Sequence, residues 1–196
     1  MVEPLPKSRD GFMLRHFLAR SECKKLIAAA EGCGFGTASY DREYRGNLRL
    51  MTEDAELSIA MWRRLRHILP NEVTCSLDGA RWRAEGLCET WKWSKYLPKE
   101  GRDAFAAHVD GTHWPEPNLR SFYSLNVYLN DDFVDGRTRF YRSTTSDEVD
   151  FVCQPETGTA LVFRQPPSAR YLHDGEPVRA GVKYLWRCDV MFRRVS

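Results

Sequence analysis

Along this chain the spacing of apolar positions changes character near residue 80. Before that point it is helical. Ser21 stands as an N-cap for SECKKLIAAAE, a segment that ends at Gly32, and Thr52 or Asp54 can cap a second segment running to the stop at Pro70. In the second segment Leu57, Met61, Leu65 and Ile68 recur at helical spacing, with Arg63, Arg64 and Arg66 mostly off that stripe. The spacing predicts a helical support over about residues 10–80.

From about residue 81 the period becomes two, in short runs rich in Trp, Tyr, Phe, Val and Thr separated by Gly, Pro, Asn and Asp. Strands are expected near 87–96, 104–109, 120–130, 137–142, 149–153, 159–164, 169–173 and 182–192. Two packed sheet layers are the natural outcome. In SFYSLNVYLN, alternation puts Tyr123, Leu125, Val127 and Leu129 on one face and Ser124, Asn126 and Tyr128 on the other. A strand covered by helices on its oily side and open to a barrel mouth on its polar side would look like this. So would an ordinary half-exposed strand.

Composition narrows the class. A chain of 196 residues without repeats or linker-like tracts points to one domain over 1–196. No apolar run approaches the roughly 20 residues of a membrane span, so no membrane partner is expected. The N-terminal MVEPLPKSRDGF has no apolar signal region, which favours a cytoplasmic location. Twenty-nine basic against 27 acidic residues leave a net charge of +2, which argues against a nucleic-acid partner. Six cysteines lie far apart without a CxxC pair, the pattern of reduced, mostly buried thiols.

Five histidines carry the candidate chemistry, and His16 and His67 read as structural. His108 and Asp110 form H-V-D, two residues apart on a strand and so on one side of it. Chance supplies about 0.7 such H-x-D/E matches in a chain of this composition. The case strengthens with His173, because two imidazoles and a carboxylate cover one face of an octahedral Fe(II) and leave three positions open. Zinc remains open on geometry alone. Ten residues after His173, Lys183 begins a strand that carries Leu185, Arg187 and Asp189 on the same face. An inward lysine calls for an anionic partner, and a dicarboxylate would supply one.

The order HVDG, RSFYSLNVYLNDDF, DGRTRFY, PETGTALVF, HDGEPVRAGVKY and RCDVMF resembles the Fe(II)/2-oxoglutarate dioxygenases, in their prolyl 4-hydroxylase-like branch. The likeness covers about residues 87–192. It implies a mainly β fold with flanking α-helices, a double-stranded β-helix or cupin-like jelly roll with its core at about 85–192. It implies His108, Asp110 and His173 as catalytic iron ligands and Lys183 as the grip on the far carboxylate of 2-oxoglutarate. Thr138 and Tyr128 carry over as further cosubstrate contacts. Tyr96 does too, although extra residues in YLPKEGRDAFAAH separate it from the H-x-D motif. Asp135 stands where many relatives have glycine. The loop THWPEPNL is peculiar to this chain and offers Trp114 or His113 to a substrate, while Asn47 and Arg49 match a segment near the substrate entrance of relatives.

The implied cofactors are Fe(II), 2-oxoglutarate and O2, with ascorbate as a stimulant. The implied reaction is hydroxylation of a C–H bond, with release of succinate and CO2. A prolyl or other amino-acid residue in a peptide or protein is the first-choice substrate; a free amino acid or small metabolite is the alternative. A jelly-roll module that binds metal and dicarboxylate without turnover competes from another class. Nucleic-acid demethylation ranks last, since KYLWRCDVMF lacks the R-x-N-x-T-x-R ending of that branch.

Overall fold

The computed structural model describes residues 1–6, 9–37, 46–98 and 105–195. Among them, a large antiparallel sheet runs in the order Val2–Pro4, Gly11–Leu14, Ala160–Arg164, Leu119–Tyr128, Lys183–Arg194, Thr90–Tyr96, Leu48–Glu53 and Gly36–Thr37. Strand Arg81–Leu87 joins it on the far half of Lys183–Arg194 and carries Glu72–Thr74 outside it. A smaller sheet has the order Val149–Cys153, Thr138–Tyr141, His173–Gly175 and Phe105–His108. A short ladder of Val134–Asp135 on Val178–Ala180 lies beside it.

The long strand Leu119–Tyr128 is buried on both faces. Tyr123, Leu125, Val127 and Leu129 join a core with Trp91, Trp93, Trp186 and Cys188, and that core also takes Cys23, Ala30, Met61 and Leu65 from the two helices. Trp91 and Trp93 stack on Trp186 with ring centroids 3.8 and 5.3 Å apart. On the opposite face Tyr128, Leu161 and Phe163 of the large sheet pack on Phe140 and Cys153 of the small one. The two sheets therefore face each other, the jelly-roll arrangement that the resemblance implies. Fully burying an aliphatic side chain or phenylalanine contributes about 1.5–3 kcal/mol, and helices on one side with a second sheet on the other let the central strands do so on both faces.

The amino-terminal part departs from the expected helical support. Strands Gly11–Leu14, Leu48–Glu53, Glu72–Thr74 and most of Arg81–Leu87 lie within or just after it. They are short and most have mixed exposure; Glu72–Thr74 pairs locally with Arg81–Leu87, whereas the others take partners distant in sequence, Leu50 opposite Trp93 for example. Pairing decides their conformation. The first helix runs Arg20–Cys33, and Ala19 rather than Ser21 is its N-cap. Glu22 makes the difference: its carboxylate accepts from the Ala19 N–H at 2.8 Å and is gripped by Arg64. The helix ends on Gly34 at φ 86, two residues beyond the expected stop. The second helix, Ala55–Leu65, has Asp54 as N-cap, accepting from the Leu57 N–H at 2.8 Å, but closes at Arg66 and so stops short of Pro70. The strand expected at 169–173 is displaced to His173–Gly175 and Val178–Ala180, and that expected at 87–96 is broken at Cys88 and Glu89. All six cysteines are free and five are buried, with Cys33 exposed.

Candidate active site

Where the two sheets part, they leave a cavity of about 350 Å³. His108 and His173 enter it from adjacent strands of the small sheet, directly opposite one another in register. Asp110 follows just past the end of the first of these strands. The His108 Nε2 lies 3.5 Å from Asp110 Oδ1, and His173 Nε2 lies 3.9 Å from Asp110 Oδ2. One donor atom from each residue can be chosen so that all lie within 4.8 Å of one another.

The surroundings prepare these donors. His108 Nδ1 is 2.8 Å from the Ala106 carbonyl, and His173 Nδ1 is 3.0 Å from the Tyr171 carbonyl. A carbonyl only accepts, so each Nδ1 carries a proton and each Nε2 is the atom turned to the cavity. Phe105 stacks on His108, and Phe140 and Phe163 wall His173. Burial pushes the His173 imidazole down to about 4, against the pull of Asp110, so it is neutral at ordinary pH. Asp110 is 8% exposed. Burial alone would raise its pKa, but Arg187 and the two imidazoles outweigh that and hold it well below the usual carboxylate range.

Behind Asp110 stands a polar network that reading of the sequence did not find. Ser124 Oγ donates to Asp110 Oδ2, and Arg187 Nη2 lies 3.1 Å from the same oxygen. Both contacts fall on Oδ2, which leaves Oδ1 as the freer oxygen. Arg187 also reaches Asp189 Oδ1 at 3.2 Å, and Lys92 pairs with Asp189 Oδ2 at 2.8 Å. Gln165 Nε2 donates to Asp189 at 2.7 Å and to Ser124 Oγ at 2.9 Å, while its Oε1 accepts from Ser121. Alternation of Lys183, Leu185, Arg187 and Asp189 on one face was the available signal; the cross-strand partners depend on register.

At another part of the wall lies Lys183, 1% exposed. Its ammonium donates to the Gly136 carbonyl at 2.6 Å and sits 5.0 and 5.6 Å from the ring centres of Tyr96 and Tyr128. Burial pushes it down to about 8, with Glu176 and Asp174 opposing from farther away. Among the described residues no carboxylate lies within ion-pair distance of it. The Tyr128 hydroxyl and Thr138 Oγ1 are 2.7 Å apart, and Thr138 lines the cavity with Tyr96, which is opposite Lys183 in register. Asp135, in the place where relatives often have glycine, adopts φ 66 beside Gly136 at φ 62 and is paired with Arg179. Short Asp side chains tolerate that left-handed conformation better than most.

The substrate candidates separate. Arg49 and His113 line the cavity. Asn47 is 2% exposed, donates to the Leu48 carbonyl, and is not among the lining residues, so its burial withdraws it from the entrance. Trp114 is 55% exposed and also outside the lining, because its ring stacks on the Arg120 guanidinium at 4.5 Å.

The donor set suits a divalent ion such as Fe(II) with open positions: two imidazoles and one carboxylate, all turned to one space. The buried Lys183 ammonium suits an anion at the same cavity. Comparison with known proteins agrees. No curated protein matches the chain. Solved structures similar in fold include the viral collagen prolyl hydroxylase of Paramecium bursaria Chlorella virus-1 in its 2-oxoglutarate complex, at 18% identity and TM-score 0.60, covering 97% of this chain and 99% of that one. A Pseudomonas putida prolyl-4-hydroxylase matches at 16% identity and TM-score 0.61, covering 96% and 94%. A Trichoplax adhaerens prolyl hydroxylase, in complex with a hypoxia inducible factor oxygen degradation domain peptide fragment, matches at 16% identity and TM-score 0.64, covering 93% and 84%. The family model of the 2OG-Fe(II) oxygenase superfamily matches residues 91–188, the stretch that holds His108, Asp110, His173 and Lys183. The chain therefore belongs to the 2OG-Fe(II) oxygenase superfamily, and it is a dioxygenase that depends on Fe(II), 2-oxoglutarate and O2.

Proposed function

We propose that this dioxygenase hydroxylates a C–H bond of a prolyl or other amino-acid residue within a peptide or protein, with release of succinate and CO2. The observation that carries the proposal is the pairing of an inward-facing His-Asp-His set with a fully buried, carboxylate-free lysine in one cavity. His108, Asp110 and His173 would hold the iron, and Lys183 would hold the far carboxylate of 2-oxoglutarate. When bound, the iron and 2-oxoglutarate supply the oxidising power that activates dioxygen and oxidises the substrate C–H bond.

The chain's own residues bind, orient and dry the site. Ser124 and Arg187 fix the rotamer of Asp110 through one oxygen, and the two backbone carbonyls fix both imidazoles. The Thr138 and Tyr128 hydroxyls, 2.7 Å apart, stand near Lys183 as further donors to an anion. Tyr96 covers the same end with its ring. Arg49 and His113 lie on the cavity wall, where a substrate would meet them. Support for a peptide substrate comes from the shared fold and from the peptide seen with the Trichoplax protein.

The test is mass spectrometry of a prolyl-peptide panel incubated with the protein, Fe(II), 2-oxoglutarate and ascorbate. A gain of one oxygen matched by succinate supports the proposal. Succinate coupled instead to a non-amino-acid substrate, with no oxygen on any peptide, overturns it.

A further inference from the structure

Among the described residues four cationic side chains, Arg49, Lys92, Lys183 and Arg187, line the cavity. Three have partners or an assigned one. Lys92 pairs with Asp189, Arg187 is shared by Asp110 and Asp189, and Lys183 faces the cosubstrate on the reading above. Arg49 differs. Among the described residues no carboxylate lies within ion-pair distance of it, and its Nε is buried without a hydrogen-bond partner.

Its place is set by register. Arg49, Ser94 and Leu185 form one row across three adjacent strands, and all three line the cavity. Lys92, Arg187 and Asn126 form the next row, two residues along. Asn126 is 5% exposed, and its Oδ1 is also buried without a partner. This wall thus offers an unused guanidinium donor on Leu48–Glu53 and, three strands across and one row along, an unused amide acceptor on Leu119–Tyr128. Buried polar atoms are normally bonded, and leaving them unpaired is costly. Charge points the same way. Iron(II) and the 2-oxoglutarate dianion offset one another, so among the described residues the four cations face only Asp110 and Asp189, because Asp174 at the wall is taken by Arg139. The excess is positive.

A planar carboxylate matches the guanidinium fork and offsets the positive excess, while Asn126 Oδ1, an acceptor, calls for an N–H donor. We propose that Arg49 docks a carboxylate of the substrate, so that the residue to be hydroxylated either adjoins an acidic side chain in a peptide or carries its own free α-carboxylate. Asn126 Oδ1 accepts from an N–H farther along the substrate. The inference rests on the oxygenase reading and narrows its substrate class.

Calorimetry on the protein loaded with Mn(II) and 2-oxoglutarate tests it without turnover. Two pairs of probes separate the sources: acetyl-Gly-Pro-Asp-amide against its Asn counterpart, and free L-proline against L-prolinamide. The acid of at least one pair binds about tenfold or more tightly than its amide partner. Arg49→Gln abolishes that gap and Arg49→Lys keeps only part of it, the charge without the fork, while 2-oxoglutarate affinity and melting temperature stay unchanged. Equal affinity within both pairs, including no binding by any of the four, overturns the inference. So does a gap that survives Arg49→Gln, or an equal loss of 2-oxoglutarate affinity, which would give Arg49 to the cosubstrate. Oxygen-transfer assays on the same compounds keep the two readings apart. Amides hydroxylated as fast as acids overturn the carboxylate site and leave the hydroxylase, whereas acid-selective binding without oxygen gain supports the site and removes proline as the target.

Discussion

Arg187 bridges two buried carboxylates, with Nη2 3.1 Å from Asp110 Oδ2 and 3.2 Å from Asp189 Oδ1. Removing it leaves Asp110 without its guanidinium and Asp189 with only Lys92 and Gln165. Breaking a buried pair by deleting one partner costs about 3–5 kcal/mol. Arg187→Met is expected to lower the unfolding free energy of the metal-free protein by that order in urea titration. An unchanged midpoint would mean that the bridge contributes nothing.

His108→Ala and Asp110→Ala are expected to abolish substrate-coupled succinate formation and to remove tight Fe(II) binding, measured by metal analysis after dialysis. Ser124→Ala, which leaves Asp110 Oδ2 to Arg187 alone and takes one acceptor from Gln165, is expected to weaken metal binding by about 10–100-fold. Full turnover by the His108 variant would sink the ligand assignment.

Lys183→Ala is expected to raise the 2-oxoglutarate requirement by about 10–100-fold, the worth of a charge-assisted hydrogen bond, while metal binding is kept. Titration of 2-oxoglutarate against oxygen consumption reads it. A similar loss of Fe(II) affinity would place the residue in the metal site instead.

The same lysine gives a pH signature. Its folded value is depressed to about 8 from 10.5. Between those values the unfolded chain binds more protons than the folded one, so stability of the cosubstrate-free protein rises with pH across that window. Cosubstrate binding follows the opposite slope, weakening as pH climbs past about 8. Chemical denaturation and calorimetry at pH 7.5 and 9.5 check both, and Lys183→Met removes both trends.

Gly158→Ala is expected to destabilise by about 3 kcal/mol or more. Gly158 has φ 79, and a Cβ there would lie 2.1 Å from the Leu18 carbonyl oxygen. Its backbone ties Tyr128 to the turn before the first helix. A melting temperature equal to wild type would show that this turn yields easily.

Much of this site is legible in the sequence. H-V-D at strand spacing, a later histidine and a lysine ten residues beyond it lie together on the cavity wall, and the polar face of SFYSLNVYLN does turn toward it. What was not legible depends on register. Nothing local in the sequence says that Lys92 opposes Arg187 or that Gln165 reaches Asp189. The short amino-terminal strands escaped for the same reason, since Leu48–Glu53 is a strand only because Thr90–Tyr96 accepts it. Ser21 was a plausible cap, but Glu22 had Arg64 to hold it in place. Trp114 stands outside the cavity lining with the Arg120 guanidinium 4.5 Å from its ring centre, a pairing that no local pattern announces.

The two imidazoles face each other across a single rung of the small sheet, His173 opposite His108, although the chain leaves that sheet and returns between them. A metal ion bound by both would clamp the rung from outside the hydrogen-bond ladder. Because the unfolded chain has no such rung, every increment of metal affinity resists opening of this sheet by mass action. Depletion of iron would therefore leave a protein whose catalytic mouth breathes more readily, and amide exchange at Phe105–His108 and His173–Gly175 would be the place to watch it loosen.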